Sequence, residues 1–107
     1  MGCWWATWSP KGILLGRAGV KVSPIALGLG FRGQSSADEA QRLIEHAIDR
    51  GVNLIDCANI YAMRDDVHDP GESETILGRV LKTKRDDVVI TSKVSEPVGP
   101  GPNDRGS

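Results

Sequence analysis

Between Pro24 and Lys93 short apolar runs alternate with segments of helical periodicity, and this alternation restricts the fold more than any other feature of the chain. Pro24-Ile-Ala-Leu-Gly-Leu-Gly30 has the near-continuous apolar character of a buried strand. Ser36-Ala-Asp-Glu39 then carries the capping-box spacing, in which a hydroxyl and a carboxylate satisfy N–H groups at a helix start. Ala40, Leu43, Ile44, Ala47 and Ile48 recur along one helical face, and Gly51 supplies a stop. The unit repeats: Asn53-Leu-Ile-Asp56 predicts the next strand, and Ile76, Leu77, Val80 and Leu81 mark a second helix. Asp87-Val-Val-Ile-Thr-Ser-Lys93 predicts a third strand. Strand, helix, strand, helix, strand is the rhythm of a right-handed parallel α/β fold.

The flanking segments read differently. Ile13-Leu-Leu15 and Val20-Lys-Val22, joined through Gly16-Arg-Ala-Gly19, predict a β-hairpin. Residues 1–11 form an atypical leader, expected to be disordered, that holds all three tryptophans, Trp4, Trp5 and Trp8. It has no apolar run long enough for a signal peptide or membrane span, and Ala6 stands where N-myristoylation needs Ser or Thr. The charged stretch Ala62–Pro70, with His68 as a surface residue, and the Gly- and Pro-rich residues 95–107 are expected to be loops.

Composition excludes several function classes. A net charge of −1 predicts no attraction to nucleic acid or to an anionic membrane. Two cysteines are too few for a disulfide framework; Cys57, in an apolar strand end, is expected to pack as a small reduced hydrophobe, which fits a cytoplasmic protein. No His, Cys and carboxylate cluster has ligand spacing, so no metal is expected.

Three residues carry the chemistry. Asp56, Tyr61 and Lys93 each lie at or just beyond an expected strand end, so a parallel sheet gathers an acid, a phenol and an amine at one edge. Alone, each has an ordinary explanation as a loop cap, a half-exposed ring or a surface cation; together they make a proton-transfer device. A competing motif, Gly28-Leu-Gly-Phe-Arg-Gly33, spells the G-x-G-x-x-G of dinucleotide-binding loops, with Asp56 23 residues past Gly33. Gln34 and Ser35 separate it from the helix cap, whereas such a motif should lead straight into a helix N-terminus. Turn glycines at a strand end explain the same residues, and a small Rossmann-type binder stays open as an alternative.

From about Leu14 to Gly106 the chain resembles the N-terminal part of an aldo-keto reductase. The resemblance rests on Leu15-Gly-Arg-Ala-Gly-Val-Lys-Val-Ser-Pro24, Gly28-Leu-Gly30, Leu54-Ile-Asp-Cys-Ala-Asn-Ile-Tyr61, Gly71-Glu-Ser-Glu-Thr-Ile-Leu-Gly78 and Arg85-Asp-Asp-Val-Val-Ile-Thr-Ser-Lys-Val94. It implies the start of a (β/α)8 TIM barrel, with about three of eight strands and a hairpin closing the barrel bottom. The implied activity is NAD(P)H-dependent reduction of aldehydes or ketones, or the reverse oxidation of alcohols, on small carbonyl substrates. NADP is favoured and NAD is compatible. By the same resemblance Tyr61 is the general acid, Lys93 lowers the phenol's pKa from its free value of about 10, and Asp56 holds the lysine. Gly30, Phe31 and Asp56 would line the cofactor.

Departures from the family pattern are Cys57 in place of Thr and Ala62 in place of Gly. The family's carbonyl-orienting histidine is expected after the next strand, and His46, on the polar face of the first helix with Glu39, Arg42 and Asp49, cannot replace it. A barrel of this class takes about 250 residues, so residues 12–107 are expected to be an incomplete domain, marginally stable and inactive alone. An inactive remnant or interaction module is the other alternative. Substrate identity and oligomeric state are not fixed by these residues.

Overall fold

A computed structural model describes residues 12–30, 34–62 and 70–105. The chain opens with an antiparallel hairpin of β1 (Ile13–Leu14) and β2 (Lys21–Val22), in register Ile13 with Val22 and Leu14 with Lys21. The turn needs its glycines, because Gly16 and Gly19 sit at φ 58° and 74°, where a Cβ is strained. Asn53 bolts this hairpin to the sheet: its side chain accepts the Ser23 N–H at 2.6 Å and donates to the Lys21 carbonyl at 3.1 Å. The bolt lies at the N-terminal end of the parallel strands.

Three parallel strands follow, β3 (Ala26–Gly28), β4 (Leu54–Asp56) and β5 (Val89–Thr91), hydrogen-bonded in the order β3-β4-β5. Leu27, Ile55 and Ile90 are in register across the ladder, as are Gly28, Asp56 and Thr91. Helix α1 (Ala37–Asp49) and helix α2 (Glu72–Val80) connect the strands and pack side by side. Side chains alternate along a strand, so Leu27, Ile55 and Ile90 meet the helices. Ala26, Gly28, Leu54, Asp56, Val89 and Thr91 share the opposite face.

The core lies between helices and sheet. Leu29, Ala40, Ile44, Ile55 and Cys57 are fully buried, joined by Ile76, Leu77, Val80, Leu81 and Val88. Burying each of the large aliphatic side chains contributes about 1.5–3 kcal/mol. Cys57 packs there as the small hydrophobe its strand-end position suggested, and burial pushes its thiol pKa up.

Helix ends follow the expected chemistry with one change. Ser36 caps α1 in an extended conformation, its hydroxyl accepting the Glu39 N–H at 3.1 Å. The Glu39 carboxylate accepts from the N–H and hydroxyl of Ser35, one residue earlier than a capping box requires. At the other end Gly51, at φ 98°, donates to Ile48 O and Val52 donates to Ala47 O, a Schellman closure.

Element boundaries are tighter than the apolar runs suggest. The run from Asp87 to Lys93 forms a strand only at Val89–Thr91, because Arg85–Asp87 wind into a 3₁₀ turn. Likewise Pro24 and Ile25 precede β3, and Ile25 is exposed. Leu43, expected on the core face, lies at its margin and is 37% exposed, while Ala40 and Ile44 fill the interface. The leader 1–11, Phe31, Gly33 and His68 fall outside the described residues. Among the described residues no helix is long and apolar enough to cross a membrane.

Candidate active site

Backbone pairing brings the C-terminal ends of β4 and β5 together and continues past both strands. Cys57 N–H donates to Thr91 O at 2.8 Å, and Asn59 N–H donates to Lys93 O at 3.0 Å. Lys93 is therefore fixed in register although it lies outside β5. Because Thr91 and Lys93 are two residues apart, both side chains project to the face that carries Asp56.

Tyr61 arrives on the loop leaving β4. Its N–H donates to Ala58 O at 3.2 Å, closing a turn, and its carbonyl accepts the Ser73 N–H at 3.1 Å. Ser73 is fully buried in the first turn of α2, and its hydroxyl donates to Leu29 O, just beyond β3, at 2.8 Å. One residue thus ties the tyrosine loop, the helix and the first parallel strand together.

The side chains converge on the Lys93 ammonium. Its Nζ donates to Asp56 Oδ2 at 2.8 Å, to Cys57 O at 2.9 Å and to Tyr61 OH at 3.4 Å. Three donors meet three acceptors, which fixes the cation. Since the phenol oxygen accepts from the lysine, its own hydrogen is left to donate elsewhere. The other carboxylate oxygen, Asp56 Oδ1, accepts the Thr91 hydroxyl at 2.6 Å.

Electrostatics keep this ion pair charged. The Lys93 ammonium, followed by the Thr91 hydroxyl, holds the Asp56 carboxyl below its ordinary pKa. Asp56 in turn is the main cause of a raised Lys93 pKa. Both side chains stay near water, 50% exposed for Lys93 and 40% for Asp56. The resulting arrangement is an ion-paired ammonium held beside a phenol oxygen.

The three residues singled out for catalysis are thus brought together. Gly30 lies at the same end of the sheet, following Leu29, whose N–H donates to Asp56 O at 3.0 Å. His46 is exposed on α1, away from the cluster. Neither Gly28 nor Gly30 adopts the left-handed conformation, and a Cβ on either would meet nothing within 4 Å. The chain then runs to Ala37 before α1 begins. Those features are not a tight phosphate-binding turn at a helix N-terminus. No sequence motif marks Ser73 as part of the site; for Thr91 the one signal is its two-residue spacing from Lys93, which puts both on one face of the strand.

The sequence model of the aldo/keto reductase family matches residues 24–107, which include Asp56, Tyr61 and Lys93. The chain belongs to the aldo/keto reductase family. A probable voltage-gated potassium channel β subunit from Arabidopsis thaliana is 36% identical over 97 residues, covering 86% of this chain and 27% of the relative. A solved Pseudomonas aeruginosa protein, described as a putative aldo-keto reductase, is 38% identical with a TM-score of 0.63, covering 78% of this chain and 31% of its own. An aldo-keto reductase from Bacillus halodurans in its holo form has a TM-score of 0.69 at 23% identity, covering 88% of this chain and 29% of its own, and supports the fold. The chain therefore spans less than a third of each of these relatives. Its parallel sheet and helices are part of the aldo/keto reductase barrel, and the small Rossmann-type reading falls away.

Proposed function

We propose that this aldo/keto reductase chain supplies the proton-donating half of a carbonyl reductase that uses a reduced nicotinamide dinucleotide. The observation that carries this reading is the Lys93 tripod on Asp56, Cys57 O and Tyr61 OH. The donor set suits such a cofactor, because the cluster offers a proton and a fixed charge but no side chain that can deliver two electrons. When bound, the reduced nicotinamide supplies hydride to the carbonyl carbon.

The chain's own residues do the rest. Tyr61 gives its phenolic proton to the carbonyl oxygen as that oxygen gains electron density, so the products are an alcohol and a tyrosinate. Lys93 stabilises the negative charge left on the phenol oxygen 3.4 Å away. Asp56 keeps Lys93 in place and ionised. In alcohol oxidation the same atoms run in reverse, with tyrosinate taking the hydroxyl proton. Asp56 and the backbone at Gly30 stand at the sheet end that would face the nicotinamide, and the family resemblance adds Phe31 to the cofactor-lining residues. The family resemblance favours NADPH over NADH and a small aldehyde, sugar or ketone as substrate, while the net charge of −1 and the small number of cysteines fit a cytoplasmic setting without nucleic-acid or membrane partners.

A second reading, an interaction module, draws support from the Arabidopsis relative, which is itself named as a channel subunit. Retention of all three site residues in bonding geometry favours the enzyme. The test is NADPH oxidation by the intact protein that carries this chain, with a panel of aldehydes and ketones, against Lys93→Met. Turnover lowered by about two orders of magnitude in the variant, at unchanged NADPH affinity, supports the reading. Absence of turnover with every carbonyl, despite tight NADPH binding, contradicts it and favours the module.

A further inference from the structure

We propose that Thr91 is a positioning residue for the Asp56–Lys93 pair, its hydroxyl locking the Asp56 carboxylate so that a single oxygen faces the lysine. The inference rests on the reductase reading for its kinetic consequence and on geometry alone for its structural one. Asp56 and Thr91 are register partners across the β4–β5 ladder, which sets the Thr91 hydroxyl 2.6 Å from Oδ1. Lys93, two residues on and on the same face, takes Oδ2 at 2.8 Å. Both carboxylate oxygens are thus engaged from one neighbouring segment, and rotation about the Cβ–Cγ bond is arrested.

That arrest matters because the Lys93 ammonium has one N–H for each of its three acceptors. A carboxylate that turns pulls the ammonium with it and breaks the donation to Tyr61 OH, the longest of the three at 3.4 Å. Thr91 also acts in the sense expected of a donor to a carboxylate, favouring its ionised form. Among the described residues Lys93 is the charged group bonded to Asp56, Tyr61 meets the pair through Lys93 Nζ, and the Cys57 thiol, which senses Asp56, is buried in the core. An exposed strand threonine without such a task would be replaceable by valine, which keeps the β-branched shape and removes only the hydroxyl.

The experiment compares Thr91→Val and Thr91→Ser in the intact protein, with two readouts. The first is the titration of the Asp56 carboxyl followed by its ¹³Cγ shift. The valine variant should raise the midpoint, and the serine variant should restore most of the wild-type value. The second is the pH dependence of carbonyl reduction. The valine variant should lose about five- to tenfold in kcat, with KM changed by less than about twofold and its acid limb displaced upward. An Asp56 midpoint unmoved by valine, or moved as far by serine, overturns the proposal. If wild type shows no turnover while the midpoint still separates valine from serine, the reductase reading fails and the role of Thr91 stands. Should the valine variant not fold, Thr91→Ala gives the same two readouts.

Discussion

Replacing Ser73 by alanine tests whether burial, and not hydrogen bonding as such, makes the node under Tyr61 matter. The serine is fully buried, and its hydroxyl donates to Leu29 O across 44 residues of chain at 2.8 Å. Leu29 is itself fully buried, so alanine leaves a carbonyl acceptor in the core without its donor. An orphaned buried acceptor costs about 1–3 kcal/mol. The Oγ atom removed is small, so the cavity adds less than that. Thr75 provides the control: its hydroxyl donates to Gly71 O at 2.9 Å within the same helix start, but it is exposed and water can replace it. Thr75→Ala should therefore cost no more than about 0.5 kcal/mol. Urea denaturation of the intact protein reads both, as a fall in midpoint at constant slope of about 1 M for Ser73→Ala and little change for Thr75→Ala. Equal losses in the two variants, or a loss under about 0.5 kcal/mol for Ser73→Ala, refute the reasoning.

Other expectations concern the ion pair, the helix cap and the core thiol. The folded Asp56 pKa is depressed, so its stabilisation is present above the unfolded carboxylate value of about 3.9 and is lost as pH falls through the lower folded value. The folded Lys93 pKa is raised, so its stabilisation is present below about 10.4 and is lost as pH rises through the higher folded value. Stability measured against pH in wild type and Asp56→Asn should differ across the whole span between those limits and converge below it; a difference that instead vanishes near neutrality is inconsistent with the pair. Ser36→Ala removes the acceptor of the Glu39 N–H and should cost about 1 kcal/mol in thermal or urea unfolding, whereas Ser36→Asp should cost little. In a Cys3→Ser background the buried Cys57, with its raised pKa, should react slowly with iodoacetamide until the protein is unfolded; rapid alkylation of the native protein would count against its place in the core.

Much of this arrangement is legible in the sequence itself. Apolar periodicity placed Ala40 and Ile44 on the buried face of α1 and Ile76, Leu77 and Val80 on that of α2, because helical spacing maps directly onto one side. The same local logic found the hairpin, the Ser36 cap and the Gly51 stop. Strand ends were less legible, since an apolar run continues where ladder bonds stop: Asp87 winds into a 3₁₀ turn and Lys93 lies past β5. Asp56, Tyr61 and Lys93 could be gathered from strand ends alone. Ser73 could not, because a hydroxyl's partner 44 residues away is set by how the elements dock, and for Thr91 the two-residue spacing from Lys93 marks the shared face but not the Asp56 partner 35 residues away. Nor could the Cys57 carbonyl, a backbone group that carries no sequence signature and yet takes one of the three Lys93 donors.

The proton-donor assignment comes down to one oxygen atom. Kinetics of carbonyl reduction by the intact protein and its Tyr61→Phe variant, with NADPH affinity measured in parallel, isolate that atom. Loss of the phenol oxygen should lower kcat by about 10²- to 10⁴-fold while leaving NADPH affinity within a few-fold of wild type. A phenylalanine variant that reduces its carbonyl substrate at the wild-type rate would show that the proton comes from elsewhere, and the Lys93 tripod would then have no part in the reaction.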